Sequence, residues 1–577
     1  MLSYRKLAMR VLGHPLHTGG IDSPRPASQR AAAFILTAAM LTTLAAPAFA
    51  DIWHIEDGDI TVKASGTEGK NTVSQGNKKD VEDTNTIITN RDKNTASSHT
   101  VTIETNDKND KVEVTLKDVN IKADSGSALT SKGDVTLTLK GDNSLTGGNG
   151  NGNGYGGYGI YSDSGDVTIS GGETDSLTAQ GGSGENGGDG IYSDSGDVTI
   201  SGGSTVTAKG GDGGSGGSGI YSSNSSVTIS GGTVNAKGGD GKNGSGGCGI
   251  YNSGSLIISD GTVTANGGDG KDGYGGYGIS SLDVAISGGT VTANGGDSKD
   301  GYGGNGISSN SGVAISGGST VTANGGRGED GSGGSGISNG GSLTVSDSTV
   351  TAKGGNGDSK DGYGGDGIRS NGVTISGNTV NAAGGNGSTG GGSGIFSSRD
   401  IDLSGSLELT AKAGSPSGKA LLQNGRELDL DTIKDKLGPG AKVTATDADG
   451  KVNQVSIPRP VEPEESSSSS DGGSATPSAP ASPLPGLTVT DKDGQRISYT
   501  STQSGNTLTV CVGRFTASFR ISLATLRQLR AEGIETITFQ TILCSTTLSV
   551  DELLAMGGED AEAVLTHRFT DSSLTVG

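Results

Sequence analysis

"GTVTANGGDGKDGYGGYGI" runs from Gly261 to Ile279, and near-copies of it recur down most of the chain. A strand-like "TVTA" sits against a tract too rich in glycine to build an ordinary core. A Gly-Ile pair closes each copy, with isoleucines at 160, 191, 220, 250, 279, 307, 337, 368 and 395, so successive copies are 27 to 31 residues apart. The second copy reads as three short strands, "GIYSDSG", "DVTISGG" and "STVTAKGG", followed by a glycine tract. Within it Val198, Ile200, Val206 and Ala208 alternate with polar residues, the period of a half-buried strand. No proline interrupts the repeats, and no 3.6-residue period is present.

Three strands per unit of roughly 29 residues, repeated with the same residue types at each position, predict an all-β fold. Each unit is one coil of a parallel β-helix, which buries its aliphatic face only by stacking on its neighbours. Isolated hairpins do not meet the pattern, because one unit has too few apolar residues to stand alone. Glycine has the most backbone entropy to lose, so the tracts either stay loose or are tied down by something.

The rest of the chain is read against this solenoid. Residues 1–50 carry Arg5, Lys6, Arg10, Arg25 and Arg30, then an apolar stretch ending in Ala48-Phe49-Ala50, the pattern of a secretory signal peptide. A membrane anchor is the weaker alternative, since Pro47 interrupts an alanine- and threonine-rich run. Residues 51–150 keep the alternation with less glycine and more charge, as the cap and entry coils of a solenoid would. The glycine-rich repeats span 151–416, degenerate terminal coils 417–457, and a Pro/Ser-rich disordered linker 458–485. Residues 486–577 form a small α/β module. "NTLTVCVGRF" and "ETITFQTILC" are its strands, and "SLATLRQLRAEG" is a helix with Leu523, Leu526 and Leu529 on one face and Gly533 as its C-cap.

Bulk properties narrow the function. The 577 residues include 108 glycines, only 3% are aromatic, and the formal net charge is -21. Surplus negative charge argues against nucleic acid as a partner. After signal removal no segment is apolar enough for membrane insertion. Three cysteines, Cys248, Cys511 and Cys544, rule out a disulfide framework. Cys511 and Cys544 either pair or stay as buried thiols.

Two columns of side chains are candidate sites. Stacked coils would place Asp272, Asp300, Asp330 and Asp361 in one column, with Asp240, Asp269 and Asp297 beside it. Carboxylates one coil apart repel unless a cation intervenes or their pKa rises. Calcium would suit such oxygen donors, and "GGDGKDGYG" at Gly267 fits a calcium-binding nonapeptide. The competing reading is a solvated loop neutralised by Lys271, Lys299 and Lys360.

The second column is aromatic. Tyr161, Tyr192, Tyr221 and Tyr251 each follow the inward isoleucine and so point outward, with Asp163 and Asp194 nearby. Such a row either offers flat faces to sugar rings or stacks on itself. Tyr274, Tyr277, Tyr302 and Tyr363 form a looser set in the tracts. Catalysis has little support: the five histidines lie outside the repeats, and the carboxylates repeat instead of converging.

"VEVTLKDVNIKADSGSALTSKGDVTLTLKGDNSLTGG", followed by "GGYGI" and "VTISGGTVNAKGGDG", resembles the secreted clostridial-type, pectate-lyase-like β-helix family of carbohydrate-binding proteins over roughly residues 100–415. The resemblance implies a right-handed helix, calcium, and cellulose or acidic pectin as ligand, without established turnover. The expectation is a non-catalytic polysaccharide-binding protein, secreted or at the cell surface. An adhesive rod presenting the C-terminal module to surface proteins is the alternative, and a polysaccharide lyase the third.

Overall fold

The computed structural model describes residues 52–458 except 66–68, 106–109 and 152–153. In the C-terminal region it describes 486–576 except 492–494, 498, 505, 513–515, 542–544, 557–560 and 568–571. The expected signal peptide, almost all of the linker, and Cys544 lie outside the described residues.

The chain forms a parallel β-solenoid of about 14 turns, with coils of about 29 residues. Its register follows the pattern read from the sequence. Ile191 pairs with Ile220, Ile220 with Ile250, and the nine isoleucines continue as one column to Ile395, all fully buried. In the third strand of each coil Val206, Val234 and Val263 stack in register beside Ala208, Ala236 and Ala265. Inward-facing aliphatic residues therefore meet one another across the coil boundaries, and period-two alternation keeps the apolar set inside. Two positions after each isoleucine stands a buried serine, or asparagine at Asn252 and Asn339; Ser193 Oγ donates to the Gly196 carbonyl at 2.6 Å, closing the corner after the first strand.

Both ends of the solenoid turn antiparallel. Ile60–Ala64, Asn71–Gln75 and Lys78–Asp83 form a meander at the start. There Trp53 is buried, donating from Nε1 to Asp83 at 2.8 Å. At the other end Lys442–Thr446 pairs with Val452–Ser456. Exposed charges on the first meander and reversed strands at both ends block further parallel addition, as an open sheet edge requires.

The described part of the C-terminal region holds two four-stranded sheets and a hydrophobic core of its own around Phe519, Phe539 and Leu526. The helix spans Leu523–Ala531 with Leu523, Leu526 and Leu529 buried. Ser522 caps its N-terminus, accepting from the Thr525 N–H. Glu532 holds the C-cap position and Gly533 follows at φ +91°, so the glycine sits one residue beyond the place read from the sequence. No helix among the described residues is long and apolar enough to cross a membrane.

Candidate functional site

The glycine tracts are ordered by backbone hydrogen bonds. Each tract leaves the third strand as one extended segment, turns, and returns as a second segment to the next isoleucine. Gly217 N–H donates to Gly211 O within a coil at 2.9 Å, and Gly211 N–H donates to Gly188 O of the preceding coil at 2.8 Å. The same alternation runs unbroken from Gly157, which donates to Gly148 O, to Gly414, which donates to Gly392 O. Adjacent residues point elsewhere: Gly210 N–H donates to Lys237 O and Gly216 N–H to Ser245 O, both in the following coil.

Bond directions thus rotate every three residues, the symmetry of an extended three-fold helix with no internal hydrogen bonds. The result is a two-layer flange along the solenoid. Its spacing explains the glycines: a Cβ on Gly247 would lie 1.9 Å from Gly217 O, and one on Gly276 1.9 Å from Gly247 O.

The third residue of each triplet faces outward, and its own N–H needs an acceptor. The Asp column supplies it. Asp240 N–H donates to the Asp212 carboxylate at 2.9 Å, Asp297 N–H to Asp269 at 2.8 Å, and Arg327 N–H to Asp297 at 2.7 Å. Asn356 and Asn386 do the same further along. Asp240, Asp269 and Asp297 are therefore brought together as predicted, with Asp212 as a member that the sequence reading missed. Burial pushes the Asp269 carboxyl up, and the carboxylates of Asp240 and Asp297 add to the effect.

The other predicted column lies at the flange tips. Asp300 N–H donates to Lys271 O at 2.9 Å and Asp330 N–H to Lys299 O at 2.7 Å, which stacks Asp272, Asp300 and Asp330 with exposed side chains. Asp361 lies in a tip two residues longer, folded by a Gly362-to-Ser359 turn.

A resident calcium ion needs several oxygens aimed at one point. One oxygen of each Asp in the first column is committed to a backbone N–H, and among the described residues no three acidic, His or Cys side chains converge. Hydrogen bonds between backbone groups of neighbouring coils tie the tracts down.

Tyr161, Tyr192, Tyr221 and Tyr251 form a continuous stack, extended by Tyr158. Ring centroids are 5.6 Å apart for Tyr161–Tyr192, 5.1 Å for Tyr192–Tyr221 and 4.7 Å for Tyr221–Tyr251, and Tyr158 lies 4.7 Å from Tyr192. Tyr161 donates to Asp163 at 2.9 Å and Tyr192 to Asp194 at 3.2 Å. Burial, with the Asp163 carboxylate, pushes the Tyr161 hydroxyl up to about 12. The ring faces between Tyr161 and Tyr251 rest on each other, leaving edges and hydroxyls to solvent. Further along the column Arg369 pairs with Asp366 at 2.8 Å and lies over Phe396.

The aromatics with exposed rings are elsewhere. Among the described residues they are Tyr155, Tyr274, Tyr277, Tyr302 and Tyr363, all in the returning segments of the flange. The signal was present as an X-Gly-Gly-X-Gly-Ile pattern before each isoleucine from 160 to 395. No family model, no curated protein and no solved structure matches this chain.

Proposed function

We propose that this protein is an exported, non-catalytic polysaccharide-binding solenoid. What supports the reading is repetition: outward tyrosine, aspartate and hydroxyl groups recur in register from coil to coil, as a ligand with its own repeat requires. Catalysis needs unlike groups converging on one reacting atom, and the repeats carry rows of like groups.

Affinity electrophoresis of the full chain in gels cast with soluble polysaccharides, with calcium and with chelator, tests it. Retardation in at least one gel is expected, and unchanged mobility in all of them sinks the reading. The second reading, a surface rod that presents its C-terminal module to protein partners, draws on the flange. A lattice that satisfies its own backbone needs no ligand to stay ordered, and the module has a core of its own.

A further inference from the structure

The flange tips differ in length. Eight residues (149–156) lie between the bonded pair Gly148 and Gly157, five (183–187) between Gly182 and Gly188, five (212–216) between Gly211 and Gly217, and seven (240–246) between Gly239 and Gly247. The two short tips stand beside the seven-residue tip 240–246 and leave a notch there. It is a shallow, mostly open depression of about 500 Å³, bordered by Gly184, Gly213, Gly214, Asn149, Ser183, Glu185, Lys242 and Asn243. The backbone of Tyr155 runs beside it: Glu185 N–H donates to Gly154 O at 2.9 Å, and a Cβ on Gly184 would lie 3.0 Å from the Tyr155 carbonyl carbon. At 75% exposure Tyr155 is the most exposed aromatic among the described residues, and its ring has no stacking partner there.

We infer that this notch is a binding subsite for a neutral glycan, with Tyr155 as the stacking platform. The inference rests on the polysaccharide reading above. An aromatic face beside amide, hydroxyl and backbone groups suits a sugar ring, which is apolar on its faces and hydroxylated at its rim. The depression holds one carboxylate, Glu185, and one ammonium, Lys242, neither in an ion pair among the described residues, so it carries no surplus charge for a uronate. The net charge of -21 opposes an acidic polymer in addition. Asn149 spends its carbonyl oxygen on the Ser183 N–H at 2.9 Å and keeps its NH₂ for a ligand. Because the floor is fixed by the glycine lattice, little ordering is needed on binding.

The test is affinity electrophoresis of the full chain in hydroxyethyl cellulose, xyloglucan and glucomannan gels, and in polygalacturonate, all with chelator present and polygalacturonate also with calcium. Tyr155→Ala should weaken retention in a neutral gel about tenfold, the worth of one stacked ring. Tyr155→Phe and Tyr363→Ala should retain it, with circular dichroism confirming that each variant is folded. Retention by neutral gels that is equal for wild type and Tyr155→Ala overturns the site and leaves the polysaccharide reading standing. Retention by polygalacturonate alone overturns the neutral ligand only. No retardation of wild type in any gel removes the polysaccharide reading, and this inference with it.

Discussion

The Asp240 carboxylate accepts the backbone N–H of Asp269, one coil further along, at 3.0 Å. A residue type that sequence reading assigns to cations or solvent here completes the hydrogen bonding of the next coil's main chain. Asp269 in turn serves Asp297.

Replacing Asp269 by Ala should therefore leave the Asp297 N–H without its acceptor, at a cost of about 1 kcal/mol. Asn keeps the acceptor, as the native Asn356 and Asn386 do. Amide hydrogen exchange at residue 297 should accelerate in Asp269→Ala and stay near wild type in Asp269→Asn. Equal exchange in all three proteins would show that the side-chain bond does not persist in solution.

The interior glycines of the flange should tolerate no side chain. In Gly247→Ala the added methyl would lie 1.9 Å from the Gly217 carbonyl oxygen, so the two layers must part. A loss of about 2–3 kcal/mol or more is expected from overpacking, against less than about 0.5 kcal/mol for the outward Ser215→Ala. Thermal unfolding of the two variants side by side measures the contrast.

Asp189 gives the solenoid a pH dependence. Its side chain is buried beneath the tyrosine stack, and burial pushes its pKa up to about 7, outweighing the Ser218 N–H that it accepts. The folded pKa lies above the unfolded value of about 3.9. The stabilising contribution is thus complete below about pH 4 and lost as pH rises through 7, amounting to at most about 4 kcal/mol. Asp189→Asn should flatten the decline in melting temperature between about pH 4 and 7. A mutant that declines as steeply as wild type would remove Asp189 as the cause.

Chelator should leave the melting curve unchanged, because the tracts are held by backbone donors and acceptors within the chain. A fall of several degrees on adding chelator would mean that an ion contributes to the fold after all.

The solenoid was legible because Ile, Val and Ala recur at fixed places in each coil, and alternation announces which side is inward. Ile220 and Val206 could hardly be read otherwise. The flange was not legible by the same means. Gly211 and Gly217 carry no hydropathy signal, and a search for periods of 2 or 3.6 passes over a period of 3. Tyr161 to Tyr251 were rightly placed on one outward line, but the sequence does not say whether such rings stack on each other or on a ligand. Strand spacing decides that, since neighbouring coils bring the rings within ~5 Å. Tyr155 drew no notice at all, because its setting depends on the shortness of tips one and two coils away.

The glycine zipper has a bearing on how such a protein changes length. Each outgoing segment bonds to the return segment of the coil before it, and each return segment to the outgoing one of its own coil. A whole coil can be duplicated or excised and the pattern closes again at the seam, whereas half a coil would strand a row of donors. Growth and shrinkage are thereby quantised in steps of about 29 residues. Variation smaller than a coil falls in the flange tips and at the corners between strands, where one repeat can differ from the next while the paired strands keep their register.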